Sequence, residues 1–295
     1  MTSGATVARP AAGKASPMTP PACPHCKTAL TSYDERCALC GEVIEPPPNV
    51  RRAADASAKL EGAYADTVSV VAPARLAELE EYSELNGRVV VNMSFTTLRH
   101  LLEHPAATYG NFWEDFQNDK VANRGADATA MRMKVDAELF AHHCKQIRCG
   151  LLSFDGQGAS FYAPFAATLR GVAIHHRVSL LEDNPFHVPF DDIRNLHRAT
   201  WDTRTRLVAV RFGKAVDARP SDPIAAVVAV VGSTRLGQTF VEAHIWGKFG
   251  STAIEAIVAQ VPKGGPDHYL AADIARIREL SGRAGIGFST EADRS

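Results

Sequence analysis

Several things are missing from this 295-residue sequence, and each absence narrows the reading. There is no long apolar run: the longest uncharged one, Ile224–Val231 (IAAVVAVV), is far short of the roughly 20 residues that cross a bilayer. It reads as a buried strand, and no membrane span is expected. There is no charge surplus. With 32 Lys and Arg against 33 Asp and Glu, no bulk positive field exists to drive counterion-release binding to nucleic acid, so any such contact would be local. The N-terminus, MTSGATVARPAAGKASPMTPP, lacks the apolar h-region of a secretion signal. The expectation is therefore cytoplasmic synthesis, with delivery to a target cell by a signal-independent route left open. No GxGxxG follows a strand and no GxxxxGK[ST] occurs, which disfavours Rossmann and P-loop folds.

Cysteine is scarce too, at six residues, but four of them stand close together in CPHCKTALTSYDERCALCG. Cys23 and Cys26 form one CxxC and Cys37 and Cys40 a second. The two-residue gaps let both sulfurs of a pair point at one ion, and four thiolates in tetrahedral array suit zinc. Pro24 stiffens the first knuckle, and Gly41 supplies the positive φ that turns backbone N–H groups toward sulfur. Disulfides are disfavoured in a cytoplasmic protein, and a thioredoxin-type site needs a βαβ context that this segment cannot contain. The stretch from Cys23 to about Ile44 resembles the short zinc ribbons at the ends of many bacterial proteins. That resemblance implies a metal-pinned β-hairpin and leaves the function open, since such ribbons serve as adaptors for protein or nucleic acid. With four ligands filled, such a zinc has no open position for chemistry.

Around the ribbon the expected layout is a disordered N-terminus (1–20), the ribbon (21–45), a linker (46–72), an α+β domain (73–285) and a disordered tail (286–295). EPPPN at 45–49 blocks helix and sheet, and 51–66 shows only a weak helical period. Pro73 then opens a helix with Leu76, Leu79 and Leu85 at helical spacing, stopped by Asn86 and Gly87. Strands are predicted at 88–93, 171–180, 206–212, 224–231 and 239–246. Helices are predicted near 95–104, 129–145, 189–199, 252–260 and 270–282. Four strands in the C-terminal half with few helices between them favour antiparallel pairing.

Chemistry concentrates in QTFVEAHIWGKFG. Alternation puts Val241, Ala243 and Ile245 on a core face and Phe240, Glu242, His244 and Trp246 on the other. That second face is either an ordinary solvated one or a site: a carboxylate on a firm strand opposes a developing oxocarbenium cation, and a ring offers a flat surface to a nucleobase or nicotinamide. His142, His143, Cys144 and Cys149 are close in sequence, but neighbours on a helix point about 100° apart and share one ion poorly. His175 and His176 would face opposite sides of their predicted strand.

FVEAHIWG is similar to the YIEAQIHG strand that ends an uncharacterised family of bacterial toxin-type ADP-ribosyltransferases. Upstream, RVVVNMSF resembles that family's opening strand, RMKVDAELFAHH its central acidic helix, and QIRCGLLSF and LRGVAIHHRVSLLEDNPF two further segments. The likeness runs from Gly87 to about Val261. It implies a split antiparallel or mixed sheet gripping NAD in the cleft between its halves, with Glu242 as the catalytic carboxylate. It also implies an arginine after the first strand to hold the pyrophosphate, for which Arg99 is the first candidate and Arg88 the second. Tyr162 or Phe161 would stack on the nicotinamide, Ser153 or Ser179 would support Glu242, and His244 would sit beside the cofactor. The expected function is an NAD-dependent ADP-ribosyltransferase or NAD glycohydrolase acting on a macromolecule, most simply a protein, with the ribbon as targeting module. The alternative is a non-catalytic zinc-ribbon adaptor for protein or nucleic acid.

Overall fold

The computed structural model describes residues 22, 26–28, 34–41, 43–111, 113–114, 126–231, 240–262 and 265–294. They divide into two compact units, Met1–Glu45 and Pro46–Ser295.

In the first unit, Arg36 bridges antiparallel to Val43, and Ile44 N donates to Glu35 O at 2.9 Å. Cys37 and Ile44 form its small buried centre, with Cys26 packed on it. The expected Cys23 ligand and the 1–20 segment lie outside the described residues.

The second unit is a mixed helix-and-sheet fold, as expected of an α+β chain. Its strands are β1 (Arg88–Met93), β2 (Ile147–Ser153), β3 (Phe165–Leu169), β4 (Val178–Leu181), β5 (Arg198–Thr200), β6 (Glu242–Trp246), β7 (Ile254–Ala259) and β8 (Gly287–Thr290). They join in one sheet in the order β5-β4-β6-β2-β1-β3-β7-β8. Every pairing is antiparallel except β7 with β8.

The helices are α1 (Pro48–Asp55), α2 (Ser57–Val68), α3 (Pro73–Asn86), α4 (Phe95–Glu103), α5 (Ala126–Phe140), the single turn α6 (Gly171–Ile174), α7 (Arg204–Asp217), α8 (Ile224–Val231) and α9 (His268–Arg283). Two begin at side-chain caps: Ser94 Oγ accepts from Thr97 N ahead of α4, and Asp267 accepts from Leu270 N ahead of α9.

Alternation along β1 sets the two faces of the sheet. Val89, Val91 and Met93 join the main core with Leu79 of α3, Leu98 and Leu101 of α4, Phe212 of α7 and Ile277 of α9. Val90 points the other way, with Leu151, Ala166 and Val258. On that second face, α5 supplies Val135, Leu139 and Phe140 to a separate cluster with Ile147, Leu181 and Ile193.

Several expectations are corrected. Residues 206–212 and 224–231 are helical, because burial follows a 3.6-residue period: Leu207, Val208, Phe212 and Val216 in α7, and Ile224, Val227 and Val228 in α8. The helix predicted at 252–260 is instead strand β7 (Ile254–Ala259), entered through a 3-10 turn (Ser251–Ala253). A shift of register between Thr168 and Leu169 puts Ile254 and Ile257 into the same core, as a bulge does. The strand predicted at 171–180 is α6 and a 3-10 turn leading into β4, and the helix at 189–199 is a 3-10 turn (Phe190–Asn195) followed by β5. The expected linker is α1 and α2, whose Val50, Ala53 and Leu60 are buried, with α1 against β4 and β5 and α2 against α7. The expected tail contains β8. Among the described residues, no helix is long and apolar enough to cross a membrane.

Candidate active-site cleft and cysteine cluster

The two central strands pair only over Arg88–Val90 and Leu151–Ser153. Beyond that point β1 stays with β3 and β2 with β6, so the sheet parts along its middle. Gly150 marks the parting: a Cβ there would stand 2.6 Å from Val90 O and 3.0 Å from Val91 Cγ2. The opening is a cleft of about 1060 Å³, lined by β1 and β2, the start of α4, residues 108–111, Trp113, Glu114, Arg132, Tyr162, Phe240, Glu242 and Lys248.

Glu242 enters the cleft from β6, opposite Leu151 on one side and Leu181 on the other. It is 5% exposed, and its Oε2 has no hydrogen-bond partner. His244 Nε2, equally unpartnered, lies 3.3 Å away, near enough for charge interaction but outside hydrogen-bonding geometry. The imidazole is 1% exposed and meets the Phe140 ring edge-on at 4.7 Å.

A cationic and acidic network flanks this carboxylate. Arg132, from α5, donates from Nε to Asp136 Oδ2 at 2.8 Å and from a terminal nitrogen to Cys149 Sγ at 3.3 Å. Trp113 Nε1 also donates to Asp136 Oδ2, at 2.8 Å. Burial pushes the Asp136 carboxyl above its ordinary range against the pull of Arg132. For Arg132 burial works against the charge, but the Asp136 and Glu242 charges, joined by Cys149 where that thiol ionises, outweigh it and hold the guanidinium more firmly protonated. Burial drives the Cys149 thiol up to about 12, so it is neutral and a poor nucleophile at neutral pH. Burial and then the Glu242 charge raise the Tyr162 phenol to about 12 as well.

Farther along β2 is a second charged cluster. The Arg148 guanidinium, its side chain 0% exposed, donates to Glu114 Oε1 at 3.0 Å, Lys145 O at 3.2 Å and Tyr109 O at 3.4 Å. Lys248 Nζ reaches the same Glu114 oxygen at 2.9 Å. Arg177 lies close by, donating to Trp246 O at 2.7 Å and Lys248 O at 3.0 Å. Two cations thus share one carboxylate.

The other residues named from sequence are placed elsewhere. Arg99, 51% exposed, pairs with Glu103 on α4 and is not in the cleft lining. Arg88 sits at the far end of β1, donating to Leu85 O and Gly87 O. Ser153, at the closed end of β2, donates to Asp155 Oδ1 and Gln157 O. Ser179 Oγ accepts from Asn49 Nδ2 at 3.2 Å. The same amide, at the start of α1, also donates to His244 O at 2.8 Å and Arg177 O at 3.3 Å. Phe161 packs on Tyr162 with centroids 4.4 Å apart, outside the lining, while Tyr162 belongs to it. His175 stacks on Trp201.

Sequence reasoning passed over Arg132, Asp136 and Arg148. Two signals pointed to them: an i,i+4 Arg–Asp pair within the predicted helix at 129–145, and a lone arginine inside the apolar strand IRCGLLS, where a charge needs a partner to be buried.

In the first unit the ligand atoms of Cys26, Cys37 and Cys40 all lie within 4.8 Å of one another, a cluster compatible with zinc. Cys26 Sγ and Cys37 Sγ are 3.4 Å apart, well beyond the roughly 2.05 Å of a disulfide. Lys27 (φ 64) and Gly41 (φ 74) each follow a cysteine of the cluster in the left-handed conformation. Gly41 N donates to Cys37 O at 2.8 Å, which closes the second knuckle. Hydrogen bonds from the Thr28 hydroxyl and backbone bring the Cys26 thiol down to about 6, so it is largely thiolate at neutral pH, the form that binds metal. The donor set fits a thiolate-held zinc.

No protein-family model matches the sequence, and no curated protein is significantly similar to it.

Proposed function

We propose that the second unit cleaves the glycosidic bond of NAD and transfers ADP-ribose to a macromolecule or to water, and that the cysteine module is a zinc ribbon that docks the enzyme on its target. The observation that carries this reading is Glu242: a nearly buried carboxylate with an unsatisfied oxygen, held by an inner strand in the lining of the cleft where the sheet splits. The resemblance of FVEAHIWG to toxin-type ADP-ribosyltransferases anticipates a carboxylate there and a divided sheet around it.

The chemistry follows from charge placement. The bond from the ribose anomeric carbon to the nicotinamide nitrogen breaks with its electron pair going to nicotinamide, which leaves neutral and needs no general acid. The ribosyl cation left behind is opposed by the Glu242 charge in a water-poor pocket, where such a charge acts strongly. The anomeric carbon then forms a bond to a hydroxyl, amine or water on the open side, and the proton of that nucleophile is released. Glu242 accepts a hydrogen bond from a ribose hydroxyl and fixes the sugar. Tyr162 offers its ring to the nicotinamide. Arg148 and Lys248 replace Arg99 and Arg88 as the cations for the pyrophosphate, which would take over the place of the Glu114 carboxylate.

The test is to incubate the full chain with NAD and quantify free nicotinamide, with and without protein from a candidate target cell. Release that falls by at least roughly 100-fold in Glu242→Gln supports the enzyme. Release that Glu242→Gln leaves intact removes Glu242 from the chemistry, and no release under any condition leaves the adaptor reading.

A further inference from the structure

Glu242 and His244 are neighbours on one face of β6, two residues apart. Their facing atoms are both nearly shut off from water, both without a hydrogen-bond partner, and 3.3 Å apart. Two polar atoms buried side by side and left unpaired are costly, so a bond between them is favoured. The separation exceeds an ordinary N–H···O contact by only a few tenths of an ångström. No other donor among the described residues reaches Glu242 Oε2, and His244 Nε2 is the polar atom facing it. The imidazole is not free to wander. Phe140 closes on its ring, and Asn49 holds the carbonyl of its own residue.

We infer that His244 is a positioning residue for Glu242: it carries its proton on Nε2 and donates it to Glu242 Oε2. This corrects the expectation that His244 contacts the cofactor, since it lies outside the cleft lining and acts through its neighbour. One carboxylate oxygen is then committed inside the protein and the other is left for the ligand, so the acid presents a single acceptor in a fixed orientation. A charge-assisted hydrogen bond in a dry setting restrains a carboxylate more than packing does. The catalytic part of this inference rests on the proposed NAD chemistry, but the hydrogen bond itself does not.

Two measurements test it. Long-range proton–nitrogen NMR on the labelled full chain near neutral pH reports the His244 tautomer without any substrate. The expected result is a protonated Nε2 whose resonance moves in Glu242→Gln. A bare Nε2 with the proton on Nδ1, or a ring that does not respond to Glu242→Gln, overturns the inference whether or not the chain consumes NAD. The second measurement is kinetic. His244→Gln, which retains a terminal N–H donor, should stay within about three-fold of the parent in kcat. His244→Leu should lose roughly 10- to 100-fold in kcat with KM nearly unchanged, the loss expected for one hydrogen bond to a charged group. Equal losses in the two variants, or a loss confined to KM, would also overturn it.

Discussion

Arg148 and Glu114 form an ion pair in which one partner is wholly enclosed and the other is not: the guanidinium is 0% exposed, the carboxylate 29%, and the atoms are 3.0 Å apart. The buried arginine is fixed, and the acid is the exchangeable partner. Burial raises the Glu114 carboxyl, but Lys248 and Arg148 outweigh it and hold it below its ordinary 4.5. Its share of stability is therefore present above that value and fades as the pH falls beneath it.

Glu114→Gln should make the cationic cluster a better seat for anions. Inorganic pyrophosphate should bind roughly five-fold more tightly than to the parent, corresponding to about 1 kcal/mol for a competing ion pair, and Arg148→Gln should abolish that binding. Titration calorimetry reads both. Identical weak binding in all three proteins would mean that Arg148 and Lys248 are purely structural.

The point where β1 and β2 separate can be probed at Gly150. Its missing Cβ would press on Val90 O, a backbone atom that cannot swing aside. Gly150→Ala should destabilise the fold by about 1–3 kcal/mol and speed hydrogen exchange at the amides of Val89–Val91. Unchanged denaturation and exchange would show that the strands have slack there.

His175 makes a pH-dependent contribution with a definite sign. Burial, then the Arg204 and Arg88 charges, hold its pKa down at about 4 against an ordinary 6.5. Between these values the unfolded chain takes up a proton that the folded chain refuses, so the contribution is complete above the higher value and is lost as the pH falls toward the lower one. His175→Phe keeps a flat ring against Trp201 and removes the titration. Its denaturation midpoint should vary less across this window than the parent's, and parallel curves would refute the assignment.

Elemental analysis of the purified chain should find about one zinc per molecule, and Cys37→Ser should lose it. Because the cysteine cluster lies in its own compact unit, Met1–Glu45, chelation should leave the melting of the Pro46–Ser295 unit unchanged. A metal-free chain with a folded ribbon would contradict the assignment.

What could be read from sequence was what neighbours in sequence determine. The β1, α3, α4 and α9 segments carry clean periodicity or caps, and FVEAHIW alternates over enough residues to place Glu242 and His244 on one side of a strand. The misreadings have a common cause. RLVAVRF and IAAVVAVV are rich in β-branched residues, and a seven- or eight-residue window cannot distinguish an alternating strand from two turns of a buried helix. TAIEAIVAQ has helix-forming alanines, but pairing with β3 and β8 overrides that weak preference. The cations of the cleft were hidden for another reason. Arg132, Arg148 and Lys248 come from a helix, a strand and a loop that only the strand order brings together, while Arg99 was favoured for its nearness in sequence to β1.

The amide of Asn49 has a practical consequence. By composition, a minimal fragment would begin at Pro73, but that cut discards Asn49, a side chain that ties α1 to the backbone of the Glu242 strand. It also strips α1 from the two strands it covers, β4 and β5. Any shortened version intended for assay should start no later than Pro46, and loss of activity in a shorter one would report a damaged scaffold and say nothing about chemistry.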